Sequence, residues 1–256
     1  MMRLSSVICA ALLAAAAFLS PAAPAAVPAN IAAAVADSNR PDADKQLDAD
    51  RKPAETLAFA GVKSGESVGE LISGGGYFTR LLSKAVGSKG HVYSWAPARA
   101  ADAPATQPDF AAKVKVIAAD PNYANVTVVQ QGMSTAFAGN PVDMIFTAQN
   151  YHDFHNFKEV DVGEFNKAVF NSLKPGGLYI VLDHSAEKGS GLRDTSTLHR
   201  IDEETVKSEV TAAGFVFVGE SPVLANAADP RTAKVFDPSI RHKTDQFILK
   251  FRKPKK

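Results

Sequence analysis

The stretch from residue 66 to residue 79 constrains the fold of this chain more than any other. It reads Glu-Ser-Val-Gly-Glu-Leu-Ile-Ser-Gly-Gly-Gly-Tyr-Phe-Thr, which predicts a short strand, a glycine turn and a helix that continues to about Val86. Glycines at such a turn let a ligand approach the backbone, and the helix N-terminus directs free N–H groups at it. Glu70 ends the strand beside the crevice in which open α/β sheets bind ligands. Adjacent glycines also form tight turns that bind no ligand. The elements downstream of the turn therefore have to distinguish a ligand-binding turn from a purely structural one.

Strands and helices alternate after this turn. That order predicts a mostly parallel sheet with helices on both faces. The last two strands have no helix between them, so they are free to pair antiparallel at one edge. We therefore predict one doubly wound α/β sheet with an antiparallel C-terminal edge strand. The predicted strands are residues 67–72, 91–95, 126–130, 142–148, 178–182, 215–218 and 244–251.

Longer phrases of the sequence add a family resemblance. The glycine turn, together with the helix end, Pro-Gly-Gly turn and apolar strand of residues 173–183, resembles the class I S-adenosylmethionine-dependent methyltransferases. The phrases at residues 77–80, 150–153, 198–202 and 243–247 resemble predicted bacterial exported methyltransferases more narrowly, over roughly residues 42–254. The resemblance implies a Rossmann-like, seven-stranded fold, S-adenosylmethionine as cofactor and methyl transfer to a small-molecule acceptor.

The resemblance also implies which residues contact the cofactor. Two positions depart from the family pattern, because Ile72 replaces a glycine and Ala96 replaces the acidic residue that holds the ribose hydroxyls. Loss of that charge-assisted contact removes about 1.5–3 kcal/mol. Trp95 either stacks on the adenine or packs in the core. The predicted cofactor-binding residues are Glu70, Ser73, Gly74, Gly75, Gly76, Tyr77, Trp95 and Gln149.

A polar segment after the fourth strand holds the predicted catalytic residues. Methyl transfer needs an aligned nucleophile and a base for its proton, and His152 beside Asp153 suits that base, with Asn150 lining the pocket. Alternatively, these side chains only cap the strand end and the next helix. His152 and His155 with Asp183-His184 also suggest a metal, but no third ligand stands at a diagnostic spacing, so we predict no metal site.

Arg200 precedes a predicted helix that Asp202 caps. The arginine either binds an anionic substrate or pairs with a nearby acid such as Asp202 or Glu203.

The irregular segment 225–242 is long for a compact domain, and such segments are usually functional or mobile.

Charge and the N-terminus limit the partners and the location. The 256 residues include 28 basic and 27 acidic ones, a balance that argues against nucleic acid or an anionic membrane as the main partner. Arg3, the apolar run 4–19 and the small residues at 23 and 25 predict a signal peptide over residues 1–25. We thus expect a flexible leader or a poorly packed helix at 26–40 and one domain at 41–256. We also expect a periplasmic or secreted protein with no membrane contact after cleavage.

Two classes of function remain open at this point. The first is an exported methyltransferase, and the second is a non-catalytic or repurposed ligand-binding protein that retains the fold. Ala96 and the predicted export favour the second class, because a secreted protein meets little S-adenosylmethionine. The sequence leaves the acceptor and the oligomeric state open.

Overall fold

A computed structural model describes residues 26–98, 104, 109–132, 135, 137, 139 and 141–255. The predicted signal peptide, residues 1–25, lies outside this part of the chain. Within it, no helix is both long enough and apolar enough to cross a membrane.

Seven strands form one sheet, as the alternating pattern predicts. The helices are α1 (Ala29–Val35), α2 (Asp42–Lys45), α3 (Asp48–Arg51), α4 (Pro53–Ala60), α5 (Tyr77–Val86), α6 (Ala112–Ala118), α7 (Tyr151–Phe154), α8 (Val162–Ser172) and α9 (Glu203–Ala212). The strands are β1 (Ser67–Leu71), β2 (His91–Pro97), β3 (Val126–Gln131), β4 (Val142–Ala148), β5 (Leu173–His184), β6 (Val216–Ser221) and β7 (Gln246–Arg252).

The strand order is β3-β2-β1-β4-β5-β7-β6. The first five strands in this order pair in parallel, and β7 pairs antiparallel with both β5 and β6. The predicted fold class is confirmed, with one refinement. The antiparallel C-terminal strand β7 lies inside the sheet, and β6 forms the edge, because β7 uses both of its hydrogen-bonding sides.

Two apolar layers enclose the sheet. On one face, α5 contributes Leu81 and Leu82, which are fully buried in a cluster with Val92 and Phe146. On the other face, α8 contributes Phe165 to a second buried cluster. Strands covered on both faces need near-continuous apolar runs, and the run Met144–Phe146 in β4 meets that requirement. Because β1 to β5 run parallel, their carboxyl ends lie at one rim of the sheet, where ligands bind in such sheets.

Part of the segment 26–40, for which the sequence predicts a flexible leader or a poorly packed helix, is the packed helix α1. Within that range, α1 buries Ile31 completely, and the Asn30 amide donates hydrogen bonds to the carbonyl of Val62 at 3.2 Å and of Ala85 at 3.0 Å. Arg40 is 2% exposed and binds Asp48. The alanine-rich sequence hides this packing because α1 is short and has only two buried positions, too few for a visible helical period.

Candidate functional site

The glycine turn after β1 has the backbone that the sequence predicts. Gly74 has φ +56° and Gly76 has φ +78°. Ile72 also takes a left-handed φ of +47°, at the position where the resembled family has glycine. A β-branched residue there costs roughly 1–3 kcal/mol. Two hydrogen bonds hold it in place, from the Ile72 N–H to the Trp95 carbonyl at 2.8 Å and from Asn150 Nδ2 to the Ile72 carbonyl at 2.9 Å.

A cavity of about 210 Å³ opens over this turn. A Cβ atom placed on Gly74 or Gly75 would meet nothing within 4 Å, so both backbones face open space. Gly76 differs, because a Cβ there would lie 2.0 Å from Ile117 Cδ1, and its glycine serves helix packing. The cavity is lined by Asp44, Leu47, Arg51, Glu70, Leu71, Ile72, Ser73, Gly74, Gly75, Tyr77, Phe78, Ala148, Gln149 and Asn150.

Glu70 brings a buried carboxyl group to the cavity wall. It is 3% exposed, and its Oε2 accepts a hydrogen bond from Thr79 Oγ1 at 2.5 Å. Burial raises the pKa of Glu70 to about 7, against a smaller opposing effect of the Thr79 hydrogen bond and of Arg80. The carboxyl group is therefore poised to ionise near neutral pH when a cation arrives beside it.

Arg51 brings a positive charge to the same cavity. Its guanidinium carbon lies 4.6 Å from the centroid of the Tyr77 ring, a cation–π contact. Within the described part of the chain, no carboxylate or carbonyl accepts a hydrogen bond from this guanidinium. Burial lowers the pKa of Arg51, yet an arginine stays charged at neutral pH. The Tyr77 hydroxyl donates to Asp48 Oδ1 at 2.7 Å, which fixes the ring beneath the arginine. The guanidinium donors of Arg51, from which no described carboxylate or carbonyl accepts, thus belong to the same cavity as the glycine turn.

Six of the eight predicted cofactor-binding residues line this cavity: Glu70, Ser73, Gly74, Gly75, Tyr77 and Gln149. Trp95 does not: of the two alternatives for its side chain, core packing is the one that the structure shows, so its place among the cofactor-binding residues needs correction. It is fully buried and packs against Phe165, because β2 turns this side chain into the core. Ala96 is 2% exposed and belongs to the opposite core cluster.

Among the predicted catalytic residues, only Asn150 lines the cavity. Its Nδ2 donates to the carbonyls of Ile72 and Ala148, at 2.9 and 2.6 Å, so the amide joins the ends of β1 and β4. Of the two roles considered from the sequence, capping of the strand end is therefore the one that the contacts of Asn150 show. His152 and Asp153 lie further along, in α7, and are outside the cavity lining.

His152 and Asp153 belong to a second cluster at the ends of β4 and β5. The His152 Nδ1 donates to Asp183 Oδ1 at 2.8 Å, and the His152 backbone N–H donates to Asp183 Oδ2 at 2.8 Å. On its other side, His152 Nε2 lies 3.3 Å from Asp153 Oδ1 and 3.3 Å from His199 Nδ1. Burial alone would lower the pKa of His152, but Asp183 and Asp153 raise it to about 10.

The possible metal ligands considered from the sequence do not form one group in the described residues. They are His152, His155, Asp183 and His184. His155 Nε2 lies 3.2 Å from Glu209 Oε2, and His184 Nδ1 lies 2.9 Å from Thr244 Oγ1. Burial lowers the pKa of His184 to about 4. The group that does converge in the described residues is His152, Asp153 and His199. The sequence missed His199 because it is 47 residues from His152, a separation with no recognisable motif spacing.

Arg200 does not pair with Asp202 or Glu203, and the prediction of those partners is wrong. Its Nη1 donates to Asp229 Oδ2 at 2.8 Å, with both side chains fully buried. Asp202 instead caps α9, where its Oδ1 accepts from the Glu204 N–H at 3.2 Å. A buried arginine of this kind is not free for a substrate. The pair instead holds the irregular segment 225–242 against the loop after β5.

Arg51 also escaped prediction from the sequence. The residues that reach the cavity from the N-terminal side are Asp44, Leu47 and Arg51, in or beside α2 and α3. The sequence of residues 41–61 predicts helix in two pieces before the first strand, which would cover one sheet face and the edge of the crevice. It did not indicate which side chains face it, because α2 and α3 have four residues each and no amphipathic period.

Comparisons with known proteins bear on the fold. The chain matches no protein-family model and has no significant match among curated proteins. Solved structures do match. A SAM-dependent methyltransferase from Aquifex aeolicus has TM-score 0.56 at 20% identity, over 84% of this chain and 98% of that one. One from Mesorhizobium loti has TM-score 0.55 at 13% identity, over 80% and 99%.

A third match has a different activity. The cyclase SpnF has TM-score 0.55 at 17% identity, over 83% of this chain and 81% of that one. At these identities the matches establish the fold, which is the one that S-adenosylmethionine-dependent methyltransferases share. Function has to come from the site.

Proposed function

We propose that this chain binds S-adenosylmethionine at the glycine turn and transfers its methyl group to a small-molecule acceptor. The observation that carries the proposal is the cavity lined together by the open backbone of Gly74 and Gly75, the buried carboxyl group of Glu70 and the guanidinium of Arg51, which has no hydrogen-bond acceptor among the described residues. The cavity is smaller than the roughly 300–1,000 Å³ that encloses a drug-sized ligand, so it suits one end of the molecule.

The methionine end of S-adenosylmethionine fits these charges. It carries a carboxylate, for which the guanidinium of Arg51 is the natural partner, and an ammonium group, for which the Glu70 carboxylate is the natural partner. The backbone N–H groups of the turn add donors without side-chain bulk. The two charged groups at this end of the ligand thus each have a partner of opposite charge in the cavity lining.

The reaction needs little more than alignment. An acceptor atom attacks the methyl carbon, the carbon–sulfur bond breaks, and the sulfonium becomes a neutral thioether as S-adenosylhomocysteine leaves. The sulfur loses its positive charge in this step. The acceptor loses a proton in the same reaction if its attacking atom carries one. His152 as the base that takes that proton stays a prediction, since it lies outside the cavity lining and its Nδ1 is already bound to Asp183.

Export belongs to the same proposal. Arg3, the apolar run 4–19 and the small residues at 23 and 25 support a cleaved signal peptide and action outside the cytoplasm, as in the exported methyltransferases that the sequence resembles. Cell fractionation with N-terminal sequencing tests it, and the expected mature chain begins near Ala26. An intact Met1 on a cytoplasmic product would contradict it.

The binding mode is tested with S-adenosylmethionine and its decarboxylated analogue. We expect Arg51→Met to weaken S-adenosylmethionine about 10- to 150-fold, the equivalent of roughly 1.5–3 kcal/mol for a charge-assisted contact. The same variant should leave the affinity for the decarboxylated analogue unchanged. Arg241→Met, an exposed arginine outside the cavity lining, is the matched control.

Two outcomes of this titration and one of a separate methyl-transfer assay are informative. If the wild-type chain binds both compounds equally, Arg51 does not hold the carboxylate. If it binds neither, S-adenosylmethionine is not the ligand. Binding without methyl transfer to any acceptor would favour the repurposed ligand-binding protein over the enzyme.

A further inference from the structure

Three metal-binding side chains meet at the rim where β4 and β5 end. They are His152 and Asp153 in α7 and His199 in the loop after β5. His152 Nε2 lies 3.3 Å from His199 Nδ1 and 3.3 Å from Asp153 Oδ1, and His199 Nδ1 lies 3.4 Å from Asp153 Oδ1. The three donor atoms form a nearly equilateral triangle, which hydrogen bonding alone does not require.

The size of the triangle matches a tetrahedral metal site. Bonds of about 2.0–2.1 Å at the tetrahedral angle place donor atoms about 3.3–3.4 Å apart. Bonds of the same length at right angles, as in an octahedral site, place them only about 2.8–3.0 Å apart. The three separations are also longer than the roughly 2.7–2.9 Å of charge-assisted hydrogen bonds. The His152–Asp183 contact beside them, at 2.8 Å, falls in that hydrogen-bonding range.

Asp183 sets the orientation of His152. Its carboxylate is fully buried, binds the Nδ1 of the imidazole and also accepts the His152 backbone N–H. With its raised pKa, the metal-free His152 carries a proton on both ring nitrogens, so a metal has to displace the Nε2 proton, while the Asp183 carboxylate keeps the Nδ1 proton and orients the ring, an arrangement typical of metal-binding histidines. The Nε2 atom is therefore aimed at the centre of the cluster.

His199 has a backbone conformation that needs an explanation. Its φ is +56°, a sparsely populated region for a residue other than glycine, and its ring contacts that of Phe236 at 5.0 Å between centroids. Strained conformations of this kind concentrate at functional sites. The His199 side chain is 25% exposed and that of Asp153 is 33% exposed, so one side of the cluster opens to solvent.

We propose that His152 Nε2, Asp153 Oδ1 and His199 Nδ1 bind one zinc-class divalent ion, with a fourth coordination position open to water or a ligand. Two imidazoles and one carboxylate suit zinc better than magnesium or calcium, which prefer oxygen donors. Three protein ligands and an open position are typical of a catalytic zinc rather than a structural one. A metal-bound Nε2 has no free lone pair, so the ion and a His152 general base exclude each other.

The test uses the purified, tag-free chain after removal of metal with a chelator. Calorimetric titration with Zn²⁺ alone should show one ion per chain, without competition from Mg²⁺. His199→Ala and Asp153→Asn should each weaken Zn²⁺ binding by more than about 100-fold, because loss of a second-shell partner alone costs roughly 10–100-fold. Both side chains are partly exposed, so these variants keep the fold. Bound Co²⁺ should give the intense visible absorption of a tetrahedral ion.

His155→Ala is the matched control, because His155 stands three residues from His152 and binds Glu209 instead. It should retain wild-type Zn²⁺ affinity. Several results would overturn the proposal: no Zn²⁺ binding, unchanged affinity in His199→Ala, equal loss in His155→Ala, or an octahedral Co²⁺ spectrum. The titration contains no S-adenosylmethionine, so its outcome is independent of the proposed methyl transfer.

Discussion

The buried carboxyl group of Glu70 makes a pH-dependent prediction. In the ligand-free protein, burial raises its pKa from 4.5 to about 7, so the native state keeps a proton that the unfolded chain has already lost in that window. The unfolded state then binds fewer protons, and the free energy of unfolding falls as pH rises from about 4.5 to about 7. At about 1.4 kcal/mol per pKa unit, Glu70 contributes a loss of about 3 kcal/mol across the window.

Glu70→Gln isolates this contribution. The amide stays neutral at every pH and can still accept the hydrogen bond from Thr79. Chemical denaturation of both proteins, at several pH values between about 4.5 and 8, should show the wild type losing about 3 kcal/mol relative to the variant. Parallel stability profiles would refute the reasoning, because they would mean that Glu70 ionises in the native state as readily as in the unfolded chain.

Three further substitutions test other parts of the structure. Gly75→Val should abolish S-adenosylmethionine binding in calorimetry without loss of stability, because a Cβ there meets only open space. Gly132→Val is the control and should bind S-adenosylmethionine normally. Equal effects of the two substitutions would contradict the open turn. Arg200→Met leaves the Asp229 carboxylate buried without its partner and should lower the free energy of unfolding by about 3–5 kcal/mol, and a change within error would refute the pair. Ile31→Ala should cost about 2–5 kcal/mol by denaturation if α1 is part of the core, and nothing if residues 26–40 are a loose leader.

Local patterns allowed most of the fold to be predicted. The helix α5 spans Tyr77–Val86, as expected, because Gly76 and Gly87 flank an amphipathic run on both sides. The strand β4 also matches its prediction, since a continuous apolar run bounded by polar residues is typical of a buried parallel strand. The position of β7 inside the sheet was less predictable, because pairing partners depend on the whole sheet and not on the strand itself.

The site was only partly predictable, for a physical reason. Glu70, Gly74 and Gly75 are neighbours in sequence, so one motif identifies them together. Contacts such as His152–His199 join residues 47 apart, and Arg200–Asp229 joins residues 29 apart. No periodicity in the sequence predicts such pairs, because the folding of loops, and not local propensity, brings the two residues together.

Arg51 illustrates the same limit at the cavity. Its neighbours in sequence are charged and give no amphipathic pattern, so the arginine looks like an ordinary surface residue. Packing of the helix over the glycine turn is what places its guanidinium beside Tyr77. The charge that best suits an anionic ligand end was therefore visible only in the structure.

Titration of the purified chain with S-adenosylmethionine tests the central claim most directly. Calorimetry should show one binding site per chain, and thermal unfolding should shift upward with ligand concentration because the ligand binds only the native state. Gly75 and Arg51 should both be required for the full affinity. No heat and no thermal shift at millimolar S-adenosylmethionine would contradict the assignment of this cavity.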